Sequence, residues 1–562
     1  MNRLFIKIFL LIFTLSFNSI FAGESVVLRA AKKELTRFMD ELKGEPTPPY
    51  FIAYGITDTK EINIAGTFGK IITDDDEVKR TLDIDLRVGD YKFDNTHIIR
   101  GESFNFFMRD GSTILPFEDD EKAMRNAIWF ATDRKYKKAV ERYEKALTNS
   151  AVKVKEEDTS ADFSHEEPSI YFGEDVNFQF DKELWKKRIE NVSAIFAKYD
   201  WLYTGYVTVS FKLTKKYFIN SEGTEIEMTE PYARVFISAK TKAEDGMSLP
   251  LYKSYFAFNP KELPDENVLI QEAVKIINTL DEMRTAPIMS TYSGPALLSG
   301  EASGVFFHEI FGHRVEGHRL KDPNNAQTYK GFLGESVLPD FIDVIFDPTI
   351  KKVGNTELSG YYLFDDEGIK AQKVDVVEKG IFKNFLMSRS PIENFDKSNG
   401  HGRKQSGYDA VSRQSNLIVK TDKSLPVDEL KDKLREECKE QDKDFGLYFV
   451  KVQGGFTFTG RTIPNSFNVN PVLVYKIFVD GRADELVRGV DLIGTPLTTF
   501  SNIIDAGDDI GIFNGTCGAE SGGVPVSAVS PTLLVQKIEV QKKSKSQAKL
   551  PILPAPADND NQ

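Results

Sequence analysis

Residues 304–318 read GVFFHEIFGHRVEGH and contain the run His308-Glu309-Ile310-Phe311-Gly312-His313. The apolar residues before the first histidine predict a buried helix. Two histidines with a glutamate beside the first are the groups that a zinc hydrolase needs, because imidazoles hold the metal and a carboxylate deprotonates water. This stretch therefore predicts a hydrolytic metal site carried by one helix.

The spacing of the two histidines differs from the common H-E-x-x-H motif. His308 and His313 are five residues apart, which places them about 140° from each other around a regular α-helix. Both can bind one metal only if the backbone departs from α-helical geometry between them. A π-bulge or an early helix end would achieve this, and Gly312 would permit either. The alternative is a regular helix whose histidines are merely polar or packed.

A catalytic zinc site usually has three protein ligands and one water molecule, so the motif supplies one ligand too few. The candidates for the third ligand are Glu316, His318, His401 and Cys517. His318 follows His313 by five residues, and three histidines at this spacing cannot converge without severe distortion of the helix. Helix geometry alone therefore favours a ligand from a distant loop.

The chain has two cysteines, so it is no disulfide scaffold. Cys438 follows Leu430 and Leu434 at four-residue intervals, which predicts a buried position on an amphipathic helix. Cys517 lies in the glycine-rich stretch 514–528, which predicts a loop entering a strand, and thiols in such loops more often serve chemistry than packing. A disulfide between the two cysteines is the alternative.

Residues 1–22 combine a basic start, an apolar run from Ile8 to Phe17 and a small last residue, Ala22. The apolar run is too short to span a bilayer comfortably and predicts a secretory signal peptide, with a retained N-terminal anchor as the alternative. No later segment is long and apolar enough for a membrane span. We therefore expect a periplasmic or secreted protein without stable membrane insertion.

The net charge of −13 argues against a nucleic-acid partner, because no basic domain offsets it. Alternating runs at 50–57, 62–71 and 80–89 predict three antiparallel strands. The acidic residues 74–77 predict a solvated turn between the last two, and calcium binding there is the weaker alternative.

Roughly 540 mature residues exceed what one hydrophobic core usually holds, so at least two domains are expected. An N-terminal α/β domain is predicted for 23–286, with an insertion near 110–175 whose polar part, 152–169, predicts an exposed loop. A β-rich domain, barrel-like or sandwich-like, is predicted for 287–541 and carries the motif helix. A disordered tail is predicted for 542–562, and the fold class is α+β. Further helices are expected at 27–42, 120–148, 181–199, 266–284 and 427–441.

Three segments in this order, 292–317, 364–386 and 507–540, resemble the TldD/PmbA metallopeptidases, also called modulators of DNA gyrase. The resemblance extends over roughly Val26 to Gln541. It implies a two-domain subunit, α/β followed by a β-rich catalytic domain, in a homodimer or in a heterodimer with a related subunit. By resemblance, the metal ligands are His308, His313 and Cys517, and the catalytic carboxylate is Glu309.

The sequence thus predicts a Zn²⁺-dependent peptidase that hydrolyses unfolded or extended peptides, with metal-activated water and Glu309 as the general base. Two alternatives stay open. In one, the metal is structural and the exported protein binds or escorts peptides without cutting them. In the other, the same groups hydrolyse a non-peptide amide. Three features depart from the resemblance, namely the export signal, His318 in place of another polar residue, and the long insertion.

Overall fold

The computed structural model describes residues 25–99, 111–151, 158–176, 180–322, 328–457, 467–494 and 496–543. The predicted signal peptide and nearly all of the predicted tail lie outside these residues, so both stay predictions. Within the described ranges, no helix has the length and apolar character needed to cross a bilayer.

The described residues of the first half of the chain form a mostly antiparallel sheet and four α-helices. Its elements are α1 (Val26–Glu41), β1 (Pro49–Thr67), β2 (Lys70–Val88), β3 (Thr113–Leu115), α2 (Glu121–Ser150), β4 (Ile170–Phe172), α3 (Lys182–Ala194), β5 (Thr204–Asn220), β6 (Glu225–Lys242), β7 (Ser248–Ala257) and α4 (Glu266–Thr285). The sheet order is β3-β2-β1-β5-β6, and both β4 and β7 pair with the outer edge of β6. The four helices predicted in this half are confirmed, within a few residues at their ends.

The prediction of three strands between residues 50 and 89 is wrong. β1 and β2 are 19 residues each and form one long hairpin. Phe68 and Gly69 close it with positive φ angles of 46° and 80°, the conformation that a two-residue hairpin turn needs. The acidic run 74–77 is therefore not a turn but lies within β2. Lys182 and Lys186 of α3 form ion pairs with Asp74 there.

Among the described residues, the helices pack on one face of this sheet. Residues of one strand alternate between the two faces, and on β1 the side chains of Ile52, Tyr54 and Ile56 pack with α1 and α2. Ile64, on the same face, belongs to the core formed with α3 and α4. The opposite face of the sheet is directed toward the second half of the chain.

The second half is rich in short strands. Its elements are β8 (Tyr292–Leu298), α5 (Gly300–Ile310), β9 (Ile342–Phe346), β10 (Lys352–Val353), β11 (Thr356–Glu357), β12 (Val374–Glu378), β13 (Ile381–Phe382), β14 (Gly402–Arg403), β15 (Val411–Ser412), β16 (Asn416–Thr421), α6 (Val427–Glu440), β17 (Phe445–Thr457), β18 (Phe467–Phe478), β19 (Glu485–Val487), β20 (Val490–Gly494), α7 (Pro496–Ser501), β21 (Ile503–Ala506), β22 (Gly511–Ala519), β23 (Gly522–Ser530) and β24 (Leu533–Lys542).

This half consists of a β-barrel beside a separate sheet. Of the two predicted alternatives, a barrel-like and a sandwich-like domain, the barrel is confirmed. Strands β17, β8, β24, β20 and β18 follow one another, and pairing of β17 with β18 closes the barrel. The neighbouring sheet has the order β13-β12-β9-β16-β23-β22. Helix α5 packs against β17 of the barrel and against β22 and β23 of the sheet. The α+β class with a β-rich second half is confirmed.

The two halves meet at a buried arginine. The polar stretch at 152–169, predicted as an exposed loop, is described from residue 158, and Phe163 within it is 2% exposed. The guanidinium of Arg389 lies 4.0 Å from the ring of Phe163 and 4.8 Å from that of Phe51. It also donates to the carboxylate of Glu222 at 2.7 Å and to the carbonyl of Ser164. The exposed-loop prediction is wrong for residues 162–164, which are buried between the two halves, and residues 152–157 lie outside the described residues.

Replacing Arg389 by methionine is expected to destabilise the protein by about 3–5 kcal/mol, because the substitution leaves the Glu222 carboxylate buried without its cation. Urea unfolding followed by tryptophan fluorescence measures the change. The matched control is Lys137→Met, which breaks the exposed pair with Asp133 and should cost no more than about 0.5 kcal/mol. Equal effects of the two substitutions would contradict the role given to Arg389.

Candidate metal centre

The motif helix α5 ends between the two histidines. The side chain of Ser299 caps its start, and the last α-helical residue is Ile310. Phe311 has φ −99° and ψ −54°, and a short 3₁₀ segment, Gly312–Arg314, follows. The predicted departure from α-helical geometry between His308 and His313 is therefore confirmed, by early termination rather than by a π-bulge.

Glycine is required at position 312 because a larger side chain would not fit there, not because the backbone adopts a left-handed conformation. Its φ is not in the left-handed region. A Cβ at this position would lie 2.0 Å from Oε1 and 2.3 Å from Cδ of Gln414. The Gln414 side chain is fully buried and its Nε2 donates to the carbonyl of His308 at 3.1 Å. The glycine thus leaves room for a buried amide that donates to one of the free carbonyls at the end of α5.

Gly312→Ala is expected to cost about 1–3 kcal/mol of stability, because the added methyl group displaces Gln414 from the helix end. Urea unfolding of the metal-free protein measures this loss. Gly55→Ala is the matched control, since a Cβ at Gly55 meets nothing within 4 Å. Unchanged stability of Gly312→Ala would show that Gln414 can move aside freely.

Three metal-binding side chains from two distant segments meet beside this helix end. One donor atom each from His308, His313 and Cys517 lies within 4.8 Å of the other two. Nε2 of His313 is 3.4 Å from Sγ of Cys517. All three residues are buried. The structure therefore brings together the three residues that the resemblance designates as ligands.

Cys517 comes from a strand, not from a loop as predicted. It lies in β22, and its antiparallel partner on β23 is Val524. Strand geometry gives its side chain a fixed direction, toward the cluster with Val524 and Val526 and away from the face that carries Thr516. Both cysteines are free, so the alternative of a disulfide with Cys438 is wrong. Cys438 lies buried on α6 with Leu430 and Leu434, as predicted.

Cys517 and His313 shift each other's pKa in opposite directions. Burial opposes charge on Cys517, but His313 and His308 outweigh it and hold the pKa of the thiol well below its usual range. Burial likewise opposes charge on His313, but the pKa of its imidazole is held well above its usual range by Cys517 and Glu316. The thiolate form is the one that binds metals.

A buried carboxylate stands behind His313. Oε2 of Glu316 is 3.2 Å from Nδ1 of His313 and accepts from Nε of Arg319 at 2.9 Å. Glu316 is fully buried. Burial raises the pKa of such a group, but His313 and Arg319 reverse the shift and lower the pKa to about 2. Glu316, one of the candidates for the third ligand, thus faces the far nitrogen of His313 instead of the donor cluster.

The other candidates point elsewhere. Nε2 of His318 hydrogen-bonds to the carboxylate of Glu520, just beyond the end of β22. His401 is buried beside Asn399 and Ser415, and burial lowers its pKa to about 3. Glu309 follows His308 on α5 and is half-buried, and its carboxylate does not belong to the three-donor cluster.

The donor set fits a zinc ion. Bond lengths of about 2.3 Å to sulfur and about 2.0 Å to nitrogen in a tetrahedral site place those two donors about 3.5 Å apart. The distance of 3.4 Å between Sγ of Cys517 and Nε2 of His313 agrees with this value. Three donors leave the fourth position for water, which is the arrangement of catalytic rather than structural zinc sites.

Comparisons with known protein families match both halves of the chain. The PmbA/TldA metallopeptidase central domain matches residues 168–280, and the C-terminal domain of the same family matches residues 291–542. The two matches cover more than half of the chain, and the second contains all three donor residues. The chain belongs to the PmbA/TldD metallopeptidase family.

Curated PmbA/TldD relatives match over part of their length. A metalloprotease of Archaeoglobus fulgidus is 31% identical over 264 residues, which are 47% of this chain and 57% of that protein. The zinc metalloprotease TldD homolog of Saccharolobus solfataricus is 26% identical over 278 residues, 49% of this chain and 56% of that protein. The chain thus spans little more than half the length of these relatives.

The PmbA/TldD fold is also found among solved structures. A crystal structure of a putative modulator of a DNA gyrase from Thermotoga maritima superposes with a TM-score of 0.59 at 18% identity. The superposition covers 91% of this chain and all of that one. At this identity the likeness concerns the fold alone, and it extends over both halves of the chain.

Proposed function

We propose that this protein is a zinc-dependent peptidase that hydrolyses unfolded or extended peptides. The observation that carries the proposal is the convergence of His308, His313 and Cys517 on one point, with donor atoms within 4.8 Å of one another. Zinc is favoured by this nitrogen and sulfur donor set. It is also the metal in the name of the Saccharolobus solfataricus relative.

When bound, zinc supplies Lewis acidity, which lowers the pKa of water and polarises a peptide carbonyl. Glu309 lies next to the donors in sequence but outside their cluster, which suits a base better than a ligand. In this proposal Glu309 takes the proton from the attacking water and returns it to the leaving amine. His308 and His313 must be neutral to act as ligands, so a metal at this site would take the place of a proton on Nε2 of His313, which faces Cys517, and would leave the Nδ1–H that faces Glu316.

A cleft of about 1970 Å³ between the two halves supports extended polypeptides as substrates. One wall is the helix-free face of the N-terminal sheet, and the other includes residues 511–514 of β22. Within the described residues, β22 is an edge strand that pairs only with β23, and such an edge can accept an extended peptide through main-chain hydrogen bonds. Exposed apolar side chains also line this cleft, namely Ile114, Phe172 and Ile510.

The donor cluster and this cleft lie on the two sides of one strand. Thr516 lines the cleft, whereas the adjacent Cys517 belongs to the donor cluster. A peptide paired with the outer edge of β22 would run past both. The strand edge would bind any sequence through its backbone, which fits a peptidase for unfolded chains better than one for a single folded target.

The experiment that tests the function is a digest of unfolded periplasmic proteins, with cleavage sites identified by mass spectrometry. Wild type is compared with Glu309→Gln at equal metal content. New peptide termini that require Glu309 support the peptidase. Tight peptide binding without cleavage in either form would favour the escort alternative, and release of acetate from acetylated sugars would favour the hydrolysis of a non-peptide amide.

We further propose that the protein is exported and acts as a homodimer or as a heterodimer with a related subunit. The support is the apolar run from Ile8 to Phe17 for export and the family resemblance for the dimer. Periplasmic fractionation, N-terminal sequencing of the mature chain and light scattering of the purified protein test these statements. A cytoplasmic protein that retains residues 1–22, or a monomer with full activity, would contradict them.

A further inference from the structure

The carboxylate of Glu316 is the centre of a buried network behind the metal site. Its Oε2 accepts from Nε and Nη2 of Arg319 at 2.9 Å and 2.8 Å, and it faces Nδ1 of His313 at 3.2 Å. Its Oε1 lies 3.6 Å from Nε of Arg413. Neither Glu316 nor Arg413 has any exposed side-chain surface.

The same network reaches the strand that carries the thiol. Nη2 of Arg413 donates to the carbonyl of Cys517 at 2.7 Å, and its Nη1 donates to Oγ of Ser521 at 2.7 Å and to the carbonyl of Gly522 at 3.0 Å. Arg319 donates to the carboxylate of Glu520 at 3.1 Å. Two arginines thus connect Glu316 with the end of β22 and the turn that follows it.

The backbone beside Glu316 is fixed as well. Leu386 donates its N–H to the carbonyl of Val315 at 2.8 Å. The carbonyl of Leu386 accepts the N–H of Gly317, also at 2.8 Å. A Cβ at Gly317 would lie 2.6 Å from Sδ of Met387. This close contact leaves the carboxylate little freedom to move relative to the sheet.

We propose that Glu316 is a positioning residue for the metal centre: hydrogen-bonded to Arg319 and ion-paired with Arg413, it accepts the Nδ1–H of His313 and so orients Nε2 toward Cys517. This inference rests on the proposed zinc site. A carboxylate on the far nitrogen of a ligating histidine fixes its tautomer and ring orientation and makes the ligand more basic. Because Arg413 also holds the Cys517 carbonyl, one network aligns ligands from both segments.

The test is the zinc affinity of Glu316→Gln, measured by competition with a chromophoric chelator. Glutamine keeps the size of the side chain, but its uncharged amide cannot satisfy His313, Arg319 and Arg413 together. Loss of such an orienting partner typically lowers metal affinity by about 10- to 100-fold, and this is the expected result.

The chain offers a closely matched control in Glu34→Gln. Glu34 is likewise a buried carboxylate between two arginines, Arg37 and Arg125, but it lies in the N-terminal core on α1. Its substitution should lower the thermal unfolding temperature of the metal-free protein without changing zinc affinity more than twofold. Wild-type affinity in Glu316→Gln would overturn the proposal, and so would an equal loss of affinity in the two variants.

Cobalt absorption separates this proposal from the proposed function. The thiolate-to-cobalt band should be present in wild type and in Glu316→Gln, with a changed ligand-field region in the variant, and absent in Cys517→Ser. Absence of the band in wild type would overturn the ligand set and, with it, the role of Glu316. Should Glu316→Gln not fold, Glu316→Asp keeps the charge but withdraws the oxygen from Nδ1, and a similar loss of affinity is expected.

Discussion

Replacing Glu309 by glutamine is expected to lower kcat by about two to four orders of magnitude, with no change in zinc content or folding. The substitution removes the proposed general base but leaves His308, His313 and Cys517 in place. The measurement is steady-state hydrolysis of an unfolded protein substrate, with zinc determined by elemental analysis on the same samples. A general base acts only in the chemical step, so the loss should appear in kcat rather than in KM.

Glu429→Gln is the control for this experiment. Glu429 lies in the first turn of α6, so its loss should leave turnover at the wild-type level. If Glu309→Gln and wild type had similar kcat at equal zinc content, another residue would be the base and the proposed mechanism would be wrong. If Glu309→Gln instead lost its zinc, the residue would be acting as a ligand.

The second large effect is expected from the donor residues themselves. His308→Ala, His313→Ala and Cys517→Ser should each weaken zinc binding by more than about 100-fold, because even the loss of a partner that only orients a ligand costs about 10- to 100-fold. Elemental analysis after dialysis against a weak chelator measures the bound metal. Circular dichroism should show that each variant keeps its secondary structure.

Two variants serve as controls for the ligand assignment. His318→Ala and Cys438→Ser should retain full zinc occupancy, because His318 bonds to Glu520 and Cys438 is packed on α6. Full zinc occupancy in Cys517→Ser would show that Cys517 is not a ligand. Loss of zinc in His318→Ala together with full zinc in His308→Ala would show that His318, and not His308, is the ligand.

Local features of the fold could be predicted from the sequence. The amphipathic helices have regular apolar spacing and clear ends, and α1, α4 and α6 were predicted within two residues. The helix interruption at the motif follows from a simple geometric requirement, that two imidazoles five residues apart face one metal. The strands were harder. Alternation predicts that a segment is extended but does not show that β1 and β2 each continue through a polar stretch.

The parts that failed depend on distant segments. Nothing near Cys517 in the sequence distinguishes a loop from an edge strand, because the strand exists only through its pairing with β23. The burial of Phe163 likewise depends on Arg389, which lies more than 200 positions later. Arg413 and Glu520 carry no local sign of their role beside the metal site. The three-residue spacings from His313 to Glu316 and from Glu316 to Arg319 are a local signal for this part of the network.

The separation of the donors along the chain has a consequence for how the protein matures. The thiol and the imidazole that meet at 3.4 Å are 204 positions apart in sequence. Contacts of such long range form late, because the chain between them must first be ordered. A partly synthesised chain, or one that crosses a membrane unfolded, holds two histidines without their thiolate and has no complete site. With the proposed ligand set, the metal would therefore be bound only after these two segments have come together, in the compartment where folding is completed.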